Sequence, residues 1–178
     1  MLSIVTIPDP VLTTPTRPVT VIDKFIKRLV ADMEDALLAQ KDPEGVGLAA
    51  TQVGKSLSLF IIKNNKNAPT RVFINPQLLS KPKKIIPTPG QQKRALDRME
   101  GCLSIPHIWA PLVRTQAIKL RFQSLDGVVH EEEYTGFDAV IIQHEVDHLN
   151  GILFTTRCLE QSAQLYEERS GELHKIRI

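Results

Sequence analysis

Cysteine is scarce: the 178 residues contain two, Cys102 and Cys158. Two cannot build a disulfide framework, and a chain without one is expected in a reducing, cytosolic setting. No apolar run reaches the roughly 20 residues needed to span a bilayer, so no membrane association is expected. The opening Met1-Leu2-Ser3-Ile4-Val5-Thr6-Ile7-Pro8 lacks the basic and long apolar regions of a signal peptide. The expected compartment is the cytoplasm, or an organelle if a presequence has been removed. Charge is nearly balanced, and a net +2 argues for neither nucleic acid nor membrane as partner. Aromatics are few, at 5%, and none interleaves the basic stretch Lys81–Arg98. That stretch carries Lys81, Lys83, Lys84, Lys93, Arg94 and Arg98 among prolines. Without rings to stack bases it reads as an exposed basic loop, not a specific nucleic-acid patch. Repeats and low-complexity tracts are absent too.

What is present is ordinary for a globular chain: 42% apolar and 24% charged residues. One domain over residues 1–178 is expected, with residues 170–178 as a tail free to move. Ile7–Pro18 is proline-rich and reads as an extended surface arm. Asp23 is placed as the N-cap of an amphipathic helix, with Ile26, Leu29, Val30, Met33 and Leu37 at helical spacing. It should end before Asp42-Pro43. Leu57–Ile62 and Arg71–Asn75 read as strands. Ala117–Leu125 and Val128–Tyr134 flank Asp126-Gly127, the signal of a two-residue hairpin. Leu159–Arg169 is expected to form a final helix.

Gly45-Val46-Gly47-Leu48-Ala49-Ala50-Thr51-Gln52 has two glycines followed by small residues, which let backbone approach something closely. It lacks the Gly-Lys-Ser/Thr ending of a phosphate loop. A tight turn into a packed segment fits it equally well.

The chemistry concentrates in Gln143-His144-Glu145-Val146-Asp147-His148. Two histidines four residues apart lie on one helix face and can reach one ion. Glu145, beside the first, can reach a water at that ion, as in the His-Glu-x-x-His helices of metal hydrolases. The alternative is a polar face with two solvated histidines. Ala139-Val140-Ile141-Ile142 before the motif and Leu149 after it predict a largely buried helix. Buried polar groups need partners, and a metal would provide one. Asn150-Gly151 is a stop signal, and Gly136–Phe137 is the expected start. A catalytic site usually has three protein ligands. Glu160, Glu167, Glu168, Glu172 and His174 lie downstream; Cys102, in Glu100-Gly101-Cys102-Leu103-Ser104, lies upstream.

Those three stretches, Gly45–Gln52, Glu100–Ser104 and Gln143–His148, resemble the three motifs of peptide deformylases, in the family's order. Pro8-Asp9-Pro10-Val11-Leu12 is similar to the family's N-terminal arm. The likeness runs from about residue 7 to about residue 157. It implies an α+β fold, antiparallel strands packed around a central metal-binding helix, flanked here by the expected N-terminal and C-terminal helices. It implies a metal on Cys102, His144 and His148, natively Fe2+, with Zn2+, Ni2+ or Co2+ able to take the same ligands. The implied reaction removes the formyl group from N-formylmethionyl nascent peptides and releases formate, with the ribosome as a further candidate partner.

On that reading Glu145 shuttles the proton, while Gln52 and the Leu103 backbone N–H stabilise the oxyanion. Gly45 and Gly47 admit the peptide backbone. Val46, Leu48, Val140 and Ile141 are candidates for the methionine pocket, with core packing as their alternative. Glu100 is a candidate partner for one histidine, while Asp147 and Cys158 are structural. Two departures stand out: Lys81–Arg98 is long for the family, and His107-Ile108-Trp109 lacks an arginine many members carry near the peptide cleft. The competing class is a zinc peptidase using His144, His148 and a carboxylate such as Glu160, with Cys102 inert. A second is a binding protein for peptide ends without activity.

Overall fold

Leu59-Phe60-Ile61-Ile62 is apolar at every position, as a strand covered on both faces has to be. In the structure, a computed structural model, it is β2 (Leu59–Ile62), and all four residues are buried. Residues 2–42, 44–64, 67–79, 87–88, 90–91, 95–96 and 98–177 are described. Strand alternation splits β2 between two cores. Leu59 and Ile61 pack with Ile26, Leu29, Val30, Met33 and Leu37 of α1 (Lys24–Leu38). Phe60 and Ile62 pack with Ala139, Ile141, Ile142 and Val146 of α2 (Gly136–Leu149). The sheet containing β2 is thus sandwiched between two helices.

Its five strands run antiparallel in the order β1-β2-β3-β6-β7, with β1 at Gly47–Ala49, β3 at Arg71–Leu78, β6 at Ala117–Gln123 and β7 at Val129–Thr135. Toward β7 one face opens to solvent. Ile118, Leu120 and Phe122 are buried while Lys119 and Arg121 between them are exposed. A second antiparallel sheet, β4-β5-β8-β9, comprises Glu100–Cys102, Ile105–Ala110, Tyr166–Arg169 and Glu172–Lys175. A smaller core forms beneath it, where Cys102, Ile105, Ala110 and Leu112 meet Phe154 and Cys158 of α3 (Phe154–Gln161). The α+β class and the central helix agree with expectation. Among the described residues no helix is long and apolar enough to cross a membrane.

Local signals account for the helix ends. The Asp23 carboxylate accepts from Ile26 N–H at 3.0 Å, capping α1. Asn150 caps the C-terminus of α2, and Gly151 follows with φ +70°, a conformation that costs glycine little.

Four expectations are corrected. The N-terminal arm lies mostly on the surface, as expected, but it is not extended throughout: it contains a 3-10 turn at Pro10–Thr13, and Leu12 is fully buried. Its backbone also bonds to the interior, Val5 N–H to Gln52 O at 2.8 Å and Ile7 N–H to Ser104 O at 3.1 Å. The β6–β7 connection is longer than two residues, because the last pair is Gln123 with Val129. Asp126 Oδ1 accepts from Ser124 Oγ and Val128 N–H, rounding the turn. The C-terminal helix occupies Phe154–Gln161 rather than 159–169; Ser162, left-handed at φ +51°, ends it. Finally, the expected tail contains β9, paired with β8 through Arg169 and Glu172 across Ser170-Gly171. Both turn residues have positive φ, as a two-residue hairpin turn requires. The basic stretch 81–98 lies mostly outside the described residues; within it Thr88 and Arg98 are exposed and Ala95 is buried.

The arm presses on the end of α2. A Cβ at Gly151 would sit 2.7 Å from the carbonyl oxygen of Thr13, whereas at Gly136, also at positive φ, it would meet nothing within 4 Å. Gly151→Ala should therefore cost about 2–4 kcal/mol of unfolding free energy, against about 1–2 kcal/mol for Gly136→Ala. Equal shifts of the two urea midpoints would show that the arm does not bear on the helix end.

Candidate metal centre

Helical spacing places His144 and His148 with ring centroids 4.9 Å apart. Cys102, at the end of β4, brings its Sγ to 3.2 Å from His148 Nε2. Among the described residues, Cys102, His144 and His148 form a cluster whose ligand atoms all lie within 4.8 Å of one another. Glu160, the carboxylate of the peptidase alternative, instead pairs with Arg157 at 2.9 Å.

The donor set suits a divalent cation. One sulfur and two imidazoles match zinc or ferrous iron. Among the described residues, His148 Nδ1 and Glu145 Oε2 are buried side-chain atoms with no hydrogen-bond partner, a cost a folded protein rarely bears without function. His144 Nδ1 is 2.7 Å from Glu100 Oε1. Because the carboxylate accepts, Nδ1 carries the proton and Nε2 is left as the ligand atom. Burial works against the charged form of His144, but Cys102 and Glu100 outweigh it and raise its pKa; burial lowers that of His148. Burial pushes the Glu145 carboxyl up to about 7.

Glu100 is itself held from behind. Arg114 grips it with Nε to Oε2 at 2.7 Å and Nη2 to Oε1 at 2.6 Å. The third arm of the same guanidinium reaches Asp147 at 2.8 Å, and Asp147 also takes Arg157. Burial disfavours the Glu100 carboxylate, but Arg114 overrides it and holds its pKa well below the usual range. Gln143 fixes the segment that carries Arg114: its Nε2 donates to Thr115 O at 2.8 Å and its Oε1 accepts from Thr115 N–H at 3.2 Å.

Gln52 enters from the other side. Its Oε1 accepts from Ala49 N–H at 2.9 Å, turning its Nε2 toward Cys102 Sγ at 3.5 Å and Ser104 Oγ at 3.3 Å. A cavity of about 840 Å³ opens over these groups.

A sequence profile of the polypeptide deformylase family matches residues 1–164. The chain belongs to the polypeptide deformylase family. It is 41% identical over 155 residues to the peptide deformylase of Afipia carboxidovorans, covering 85% of this chain and 82% of that one. To the peptide deformylase of Desulfotalea psychrophila it is 34% identical over 173 residues, covering 95% and 94%. Among solved structures, the peptide deformylase of Thermotoga maritima superposes with a TM-score of 0.72 at 34% identity, covering 88% of this chain and 97% of that one. A plant peptide deformylase gives 0.74 at 32%, covering 88% and 79%. The activity of this deformylase is metal-dependent hydrolysis of the N-formyl group of nascent polypeptides, releasing formate.

Of the residues singled out in the deformylase sequence, Gly45, Val46, Gly47, Gln52, Cys102, Leu103, Val140, Ile141, His144 and Glu145 line the cavity. His148 lies beside Cys102, almost fully buried. Leu48 does not line the cavity. Alternation along β1 sends it to the α1 core, opposite Ala49. The glycines also answer to packing. A Cβ at Gly47 would lie 2.5 Å from Glu145 Oε1, and one at Gly45 2.5 Å from Leu37 Cδ1. Cys158 is buried, and burial pushes its thiol up to about 12, an inert structural state. Sequence reasoning missed Arg114, Arg157 and Ser104. The one signal for Arg114 was a cation closing the apolar run Ala110-Pro111-Leu112-Val113.

Arg114→Met would leave Glu100 and Asp147 buried without their shared cation, a loss of about 3–5 kcal/mol. Arg28, 79% exposed beside Asp32, is the control: Arg28→Met should stay within about 1 kcal/mol. Comparable denaturation midpoints for the two variants would remove Arg114 as the support of the site.

Proposed function

We propose that Cys102, His144 and His148 hold the divalent metal of the deformylation reaction, natively Fe2+, with Zn2+, Ni2+ or Co2+ able to replace it. The observation that carries this reading is their convergence within 4.8 Å in a cavity also lined by Glu145, whose Oε2 has no partner. Bound there, the ion supplies Lewis acidity and a lowered water pKa. All else is work for the protein. Glu145, fixed on α2 one residue from His144, takes the proton of the attacking water and returns it to the departing α-amine. Among the described residues its Oε2 accepts no hydrogen bond, so that oxygen is available for the transfer.

Gln52 presents Nε2–H beside Cys102, and the Leu103 N–H follows in the chain; both serve the negative oxygen that develops on the formyl group. Ala49 anchors the carbonyl end of Gln52, so the amide stays in place while an N–H exchanges Cys102 Sγ or Ser104 Oγ for the oxyanion. Val46, Val140 and Ile141 form the apolar surface for the methionine side chain, and Gly45 and Gly47 leave room for the peptide backbone.

The direct test is formate release from a formyl-Met-Ala peptide, with metal per chain measured on the same anaerobic sample. Glu145→Gln keeps all three ligands, so metal should stay near stoichiometric while turnover drops roughly 10²–10⁴-fold. Wild-type turnover in that variant would remove Glu145 from the proton path.

Metal content separates the ligand sets. Cys102→Ala leaves two imidazoles, fewer than a tight site uses, and should lose its metal on dialysis. Glu160→Ala should keep it. Full occupancy in Cys102→Ala would refute the thiolate as a ligand.

A further inference from the structure

The β4–β5 hairpin carries Glu100 and Cys102 on one strand and Trp109 on the other, with Trp109 directly opposite Gly101. A Cβ at Gly101 would lie 2.7 Å from both Cε3 and Cζ3 of Trp109, so the indole occupies the place a side chain would take. The opposite edge of β5 pairs with β8, Trp109 facing Tyr166. From that strand Glu168 accepts the indole N–H at 2.7 Å. The ring is therefore held at two points, by Gly101 beneath it and by Glu168 at its nitrogen. Trp109 also lines the substrate cavity, together with Met99, Leu112 and Ala95.

We infer that Trp109, latched by Glu168 of the C-terminal hairpin, is a specificity-determining wall that favours apolar side chains after the formylated methionine. The inference rests on the site reading proposed above. The chemistry follows from the contacts. Trp109 has a single N–H donor, and Glu168 uses it. What remains toward the cavity is ring surface, which an apolar side chain desolvates at little cost and an amide or hydroxyl desolvates without a partner. The β8–β9 hairpin begins after residue 164, where the family match ends. The indole of Trp109 links it to the cleft. Glu168 touches no substrate; it acts as a positioning residue.

The test compares formyl-Met-Leu-Leu-amide with formyl-Met-Asn-Asn-amide, whose side chains have the same number and branching of heavy atoms and no charge, so Glu44 and Arg98 at the same cavity do not bias the result. Wild type should prefer the leucine peptide in kcat/KM, on the order of 10-fold. Trp109→Ala and Glu168→Ala should lose that preference, chiefly through KM. Glu168→Gln keeps an acceptor and should retain it. An unchanged preference in Glu168→Ala overturns the latch, and an unchanged preference in Trp109→Ala overturns the wall.

Trp109 is the only tryptophan in the chain, so its fluorescence gives a second measurement that needs no turnover. Unformylated Met-Leu-Leu should shift wild-type emission at lower concentration than Met-Asn-Asn, and Glu168→Ala should alter the free emission maximum. Formate release from neither peptide would overturn the proposed site reading. Emission indifferent to both peptides would overturn this inference.

Discussion

The Arg114 guanidinium is the interaction on which the site depends. It takes Glu100 with two arms and Asp147 with the third, joining the second sheet to α2. Glu100 in turn sets the proton on His144 Nδ1 and thereby the nitrogen that faces Cys102. Two carboxylates and a cation in a nearly dry environment are costly to assemble. Their geometry is correspondingly strict: a planar fork accepts a carboxylate in few orientations. An ammonium at the same place would neutralise charge without fixing the ring of His144.

That strictness extends outward through backbone. The three segments that converge on the site come from a 3-10 turn after β1, a hairpin in the other sheet, and a helix. Nothing in their own secondary structure registers them against one another. The N-terminal arm does so. Val5 bonds to Gln52, Ile7 to Ser104, and both the N–H and the hydroxyl of Thr16 to the Leu149 carbonyl. Each bond satisfies a backbone group at the end of an element, where partners are otherwise missing. The arm therefore reaches all three segments without supplying a catalytic atom. Close packing reinforces it: Gly47 under Glu145 and Gly151 against Thr13 are positions where one added carbon would force elements apart.

The small sheet does the corresponding work on the cleft side. Between the Gly101–Trp109 and Cys102–Ile105 pairs the register shifts, so β5 bulges while β4 turns. His107 accommodates the bulge in a left-handed conformation, φ +63°. A bulge re-aims the side chains on either side of it. Here it leaves Cys102 directed at His148 and Trp109 at the cavity, from neighbouring positions of one hairpin.

The sequence by itself determined whatever depends on neighbours a few residues apart. Asp23 capping α1, the all-apolar run of β2, the alternation of β6 and the stop at Asn150-Gly151 are local matters of hydrogen bonding and periodicity, and all were legible. So were two histidines and a glutamate on one helical face. Motif order and resemblance extended this to Cys102 and Gln52. Tertiary structure decided what depends on contacts distant in the chain. Nothing local singles out Arg114, because Asp147, 33 residues away, becomes its partner only in the fold. Leu48 carried the right chemistry for a pocket, yet pleat alternation turned it to the other core. Of the C-terminal strands, β8 read as the end of a helix and β9 as a tail, because charged, weakly patterned residues carry little period; Ser170-Gly171 and the free edge of β5 drew them into a sheet. A short sequence records the conformational preferences of its own backbone, while the partner of a buried charge is chosen by whatever the completed core leaves beside it.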